Sequence, residues 1–159
     1  MRRNTDFRSP SKQGVFAMIR SISLSWIELG EPVAENYESA ALRHFEDATK
    51  LRSSGRYDNA GHLIGFAAEC AIKHRIMSLR PATSSPYVHF PDLLIAARKH
   101  LGPRSKFTSM YDVLKPGVFA SWHVNRRYDA TGSTNEAELI KWFMDTTMLF
   151  KSAGLKVRK

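Results

Sequence analysis

Two stretches of helical periodicity lie almost end to end between Asn36 and Pro81, and the few residues between them leave the chain little choice of architecture. The first, "NYESAALRHFEDATKLRSSG", sets Tyr37, Ala41, Phe45, Ala48 and Leu51 at helical spacing and ends on Gly55, a residue suited to a left-handed C-terminal stop. The second, "YDNAGHLIGFAAECAIKHRIMSLRP", opens with Asp58 or Asn59 as N-cap and must stop by Pro81. At about 100° per residue, Ala60, Leu63, Ile64, Ala67, Ala71 and His74 gather on one face of it, and the alanines let the first helix approach closely. So short a connection predicts an antiparallel helical hairpin.

Downstream, "RPATSSPYVHF" reads as a loop, and Pro91 in the first helical position opens a short helix, "PDLLIAARKHLG", closed by Gly102 and Pro103. "SKFTSMYDVLK" is a further short helix before Pro116. The stretch "PGVFASWHVNRRYDATGST" has no sustained period, and its Gly, Pro and Asn content predicts a loop. Thr134 or Asn135 then caps "EAELIKWFMDTTMLFKSAG", whose Leu139, Trp142, Phe143, Thr146, Leu149 and Phe150 make a broad apolar stripe. No stretch reads as a strand. The expected class is all-α: an antiparallel bundle of two long helices, shorter helices and a C-terminal helix.

A chain of 159 residues, 43% hydrophobic, suits one core. The expected division is a basic extension over 1–30, docking Phe16, Ile19 and Trp26 onto the body, a bundle over 31–155 and a basic tail over 156–159. Residues 1–20 carry +4 and residues 151–159 another +4, so only +1 of the formal +9 falls on everything between. The tails can hold phosphates through counterion release, and they can equally be solvated termini. The single cysteine, Cys70, forms no intramolecular disulfide, and the six histidines lack the paired spacings of a zinc site. No metal or cofactor is expected. Arg20 and three serines interrupt the most apolar run, "VFAMIRSISLSWIEL", which argues against a membrane span and a cleaved signal peptide and for a cytoplasmic protein.

The polar side of the second helix carries a ridge of His62, Phe66, Glu69 and Lys73. Glu69 and Lys73 read either as an exposed i,i+4 pair or as the inward wall of a cleft. The expected partner of Glu69 is Arg127. Its loop, "SWHVNRRYDATG", packs Trp122, His123, Arg126, Arg127 and Tyr128 into seven residues able to stack on a base and clamp a phosphate. The candidate ligand-binding set is therefore Glu69, Lys73, Trp122, Arg126, Arg127 and Tyr128.

The block "ALRHFEDATKLRSSGRYDNAGHLIGFAAECAIKHRI", followed by "HFPDLL" and then "WHVNRRY", resembles the HEPN family, small helical domains named for nucleotide binding in higher eukaryotes and prokaryotes. The likeness covers about residues 37–152. It implies a bundle on two long helices, a homodimer, and RNA or a nucleotide as ligand. Its members include metal-independent ribonucleases, often toxins paired with a nucleotidyltransferase-like antitoxin, and catalytically silent binding modules. Active members carry an arginine four to six residues before a histidine, usually near the start of a late helix: histidine moves protons while arginine neutralises charge developing on the phosphate. Here Arg56 and His62 meet the spacing, but between the first two helices, and they converge only if Arg56 stays outside the helix. In the late region His123 precedes Arg126 and Arg127, and no histidine follows. A site assembled from His123 and Arg127, with His62 reaching across a dimer, is the other catalytic arrangement open. The leading expectation is a binding module without nuclease activity, and the alternatives are a ribonuclease and a structural dimerisation scaffold.

Overall fold

The computed structural model describes residues 34–80, 86–102 and 108–157, so the expected N-terminal extension, with Phe16, Ile19 and Trp26, lies outside the described residues. The described residues form five α-helices, one 3₁₀ turn and no strand: α1 (Tyr37–Ser53), α2 (Tyr57–Leu79), α3 (Asp92–Leu101), α4 (Thr108–Val113), the 3₁₀ turn Val124–Tyr128, and α5 (Glu136–Ala153). The protein is an all-α bundle.

The helix ends have local causes. Asn36 caps α1 by accepting from Ser39 N at 2.9 Å. At its far end Gly55 takes the left-handed conformation (φ +71°) while the Arg56 N–H returns to Leu51 O at 2.9 Å. This closure delivers the chain straight into α2, which starts at Tyr57 with Arg56 as its N-cap, and not at Asp58 or Asn59. Pro91 likewise is the N-cap of α3 and not its first residue. Asn135 caps α5 through Glu138 N, and Gly154 ends it at φ +81°. The loop expected over 116–134 contains the 3₁₀ turn, whose N-cap is His123.

Helix α2 is the central element, packed against α1 on one side and α5 on another. Ala60, Ile64, Ala67 and Ala71 are fully buried as expected, but Gly61, Gly65, Ala68 and Ile72 are buried too and form a second face. Trp122 lies against that face and donates from Nε1 to Gly61 O at 2.8 Å. The indole occupies the space a side chain at Gly65 would need: a Cβ there would stand 1.9 Å from Trp122 Cε2. Trp142 crosses Gly61 in the same way, and a Cβ on that glycine would come within 2.8 Å of Trp142 Cζ3. Phe90, Phe119 and Trp122 complete the aromatic layer, with Phe90 and Phe119 stacked at 4.8 Å and 1°.

The Gly65→Ala substitution should therefore behave as overpacking, despite alanine's better helix propensity. We expect a loss at the upper end of about 1–3 kcal/mol, read by urea denaturation, with a shift in tryptophan emission as Trp122 is displaced.

Candidate functional site

The ridge on α2 does turn inward, but toward a different partner from the expected one. Glu69 is 3% exposed. Its carboxylate accepts from Phe90 N at 2.9 Å and pairs with His89 Nδ1 at 2.7 Å, so it anchors the segment before α3 and not Arg127. The reason is the demand of a buried backbone N–H for an acceptor, which a carboxylate meets well. Lys73 extends the other way, its Nζ 5.9 Å from the centre of the Tyr37 ring. Trp122 is 1% exposed and structural.

The two neighbouring arginines diverge because a 3₁₀ turn rotates successive side chains by about 120°. Arg126 turns inward over the Trp142 ring at 4.8 Å, donates to Thr134 Oγ1 at 3.2 Å and pairs with Glu138 at 3.5 Å. Arg127 is exposed, stacked on Tyr128 at 4.8 Å, and Tyr128 is itself 75% exposed.

A cleft of about 490 Å³ opens between the N-terminus of α2 and this turn. Its cationic lining is Arg56, Arg126 and Arg127, with His62 beside them. Glu69, Lys73, Trp122 and Tyr128 do not line it, so the structure divides the expected constellation: Arg126 and Arg127 reach the cleft, Tyr128 stacks on Arg127 beside it, and Glu69, Lys73 and Trp122 serve elsewhere. Arg56 and His62, which carry the arginine and histidine spacing, both line it. Arg56 has non-helical backbone (φ −89°, ψ 66°), which meets the condition for the two to face one space. His123 is exposed and does not line the cleft.

The far wall is held by Asp58. Its carboxylate accepts from Gly132 N at 2.7 Å and Thr134 N at 2.9 Å, and these amides, led by Gly132, keep its carboxyl below the usual carboxylate range. By its position in the sequence Asp58 suits the capping of its own helix, a local role, and nothing nearby signals this contact across 74 residues of chain.

His62 sits edge-on to Phe66 at 4.6 Å and stacked beside Trp122 at 6.2 Å. Its Nδ1 is buried without a hydrogen-bond partner. Burial first, then the Arg127 guanidinium and His44, hold its pKa below the ordinary 6.5. At neutral pH the ring is uncharged, and a neutral imidazole beside arginines can accept a proton near a bound phosphate and return it once charged. His44, its ring 5.8 Å from that of Phe66, is depressed as well, by burial first and by Arg43 second.

Among the described residues no three His, Cys, Asp or Glu side chains converge to hold a metal ion, and no helix is long and apolar enough to cross a membrane. Comparison with protein-family models, curated proteins and solved structures finds no match for this chain.

Two outcomes follow. Asp58→Ala should free the Gly132 and Thr134 amides, accelerating their hydrogen exchange about tenfold, as expected for losing a charge-assisted bond of about 1.5 kcal/mol. A His62 pKa lowered on folding contributes stability that is complete above 6.5 and is lost as pH falls through the folded-state value, because the unfolded chain takes up the proton first. The thermal midpoint should accordingly be flat above about pH 7 and fall on acidification, and His62→Gln should make that fall shallower.

Proposed function

We propose that this chain is a HEPN-like helical module that binds a phosphate-bearing ligand, a nucleotide or single-stranded RNA, in the cleft between the start of α2 and the 3₁₀ turn. The observation that carries this is the approach of Arg56 and Arg127 to one space from elements 71 residues apart in sequence, both exposed. A guanidinium offers a planar fork of donors matched to phosphate oxygens. Exposed Tyr128, stacked on Arg127, extends the site with a ring on which a base can lie.

The acidic groups of the cleft leave Arg56 and Arg127 without an ion-pair partner among the described residues. Asp58 is committed to backbone amides, and Asp129 lies 4.0 Å from Arg126, which also has Glu138. Binding should therefore depend on salt. Arg56→Ala and Arg127→Ala should each weaken binding of a short RNA oligomer and reduce the slope of log K against log salt by about 1, measured by fluorescence anisotropy. Unchanged affinity in both variants would remove the reading.

One observation favours a second reading, metal-independent RNA cleavage. Arg56 stays outside the helix, so it and the neutral His62 face the same cleft. In that chemistry His62 takes the 2′-hydroxyl proton as O2′ bonds to phosphorus, the arginines stabilise the phosphorane-like charge, and the imidazolium so formed returns the proton to the 5′-oxygen as its bond to phosphorus breaks, leaving a 2′,3′-cyclic phosphate. RNA cut in the presence of chelator, and spared by His62→Ala, would support it; intact RNA with normal binding leaves the module without activity. The resemblance also suggests a homodimer, and for the nuclease reading a nucleotidyltransferase-like antitoxin as partner.

A further inference from the structure

On the surface formed by α1 and α5 lies an apolar feature that the cleft does not use. Three side chains on α5, at a spacing of four, face outward: Ile140 at 37%, Met144 at 62% and Met148 at 46% exposed. Beside them lie two adjacent depressions of about 440 and 540 Å³, with Thr147 lining both, that together make a shallow groove broken at Thr147. The floor is aromatic and recessed: Phe45 meets Phe143 at 5.7 Å and Phe150 at 5.1 Å, and Phe143 and Phe150 are buried.

The charges along this groove have one sign. Arg52 lies over the Phe143 ring at 5.2 Å, and Lys151 and Lys156 border the other end; among the described residues no acidic side chain lines either depression. The stretch from Ile140 to Lys151 is twelve residues, about 16 Å or three helical turns. A recessed apolar trough of that length, edged by flexible methionines, matches a short amphipathic helix laid along it, and thioethers adapt to varied apolar anchors.

We propose that this groove docks an acidic amphipathic helix of a partner protein, its apolar face on Phe143, Phe150 and the two methionines and its carboxylates toward Arg52, Lys151 and Lys156. Charge decides against a second copy, which would bring another set of these same cations to the face. An anionic lipid surface would also meet these cations and the outward Ile140, Met144 and Met148, but it would leave the recessed Phe143 and Phe150 rings uncovered, whereas the side chains of a docked helix can reach them.

The test uses the full chain and a labelled synthetic peptide of about 14 residues, long enough to span the groove, with leucines at i, i+4 and i+7 and the remaining positions glutamate and alanine. Its control carries lysine in place of each glutamate. By fluorescence anisotropy the acidic peptide should bind at least tenfold more tightly than the control. Met148→Glu and Lys156→Glu, both at exposed positions, should each reduce that binding, Met148→Glu at least tenfold, with the circular dichroism spectrum unchanged. Met144→Glu adds a third variant in the middle of the ridge. Absence of binding, equal affinity for both peptides, or indifference to these variants would overturn the proposal. It would fall as well if light scattering showed Met144→Glu converting a dimer to a monomer, since a second copy would then fill the groove. Binding confined to phosphatidylglycerol vesicles, abolished by Met148→Glu, would assign the face to a membrane surface and overturn it too.

Discussion

The close contact of Trp122 with the backbone of α2 is the constraint on which the late part of the chain depends. Residues 115–134 contain one short 3₁₀ turn and no longer element that could position itself. An indole needs depth, and an ordinary helix surface offers none; Gly65 removes the Cβ that would collide with the Trp122 ring and lets it lie on the helix itself, as Gly61 one turn earlier does for Trp142. The Trp122 Nε1–H is then satisfied by Gly61 O, so the polar atom of that buried ring is paired in the same stroke. Glycine inside a helix costs roughly 0.5–1 kcal/mol relative to alanine; burying a tryptophan offsets more than that. Trp122 fixes the start of the 3₁₀ turn, and the turn in turn sends Arg126 inward and Arg127 outward.

Three carboxylates do for the irregular segments what the hairpin turn does for the helices. Glu69 accepts from Phe90 N, Asp58 accepts from Gly132 N and Thr134 N, and Asp145 accepts from Phe119 N at 3.1 Å while Lys141 also reaches its carboxylate at 2.7 Å. Each acid stands on a helix, and each amide it serves lies outside any α-helix. A loop packed against a core carries N–H groups that no ladder satisfies, and leaving one unpaired costs about 1–3 kcal/mol. These acids are therefore structural before they are anything else.

This explains which features are legible in the sequence. Helical period, Gly55, Pro81 and Asn135 are local signals, and they suffice for the hairpin, the existence of the five helices and the C-terminal stripe, while the helix expected over 105–115 is described only as Thr108–Val113. The second buried face of α2 is not legible, because Gly61 and Gly65 add no hydrophobic signal and read as weak points of a helix. Nor is the partner of Glu69: Arg127 is the obvious cation, while the demand that wins comes from a backbone amide, which every residue but proline carries. The arginine pair reads as a unit in the sequence, and the 120° step of a 3₁₀ turn separates it.

The same economy of charge determines what the cleft presents. Were Glu69 paired with Arg127, that guanidinium would be neutralised and the space beside α2 would be a structural ion pair. With Glu69 on the His89 segment, Asp58 on the 132–134 amides and Glu138 on Arg126, the acids nearest the cleft already have partners. Arg56 and Arg127 are left facing solvent next to an uncharged His62, although the folded body is almost neutral in sum. Two guanidiniums without ion-pair partners among the described residues thus share one cleft without a basic domain, because the nearby carboxylates are engaged by backbone amides, His89 and Arg126. For the same reason the electrostatics of this protein follow from its hydrogen bonds and not from its composition.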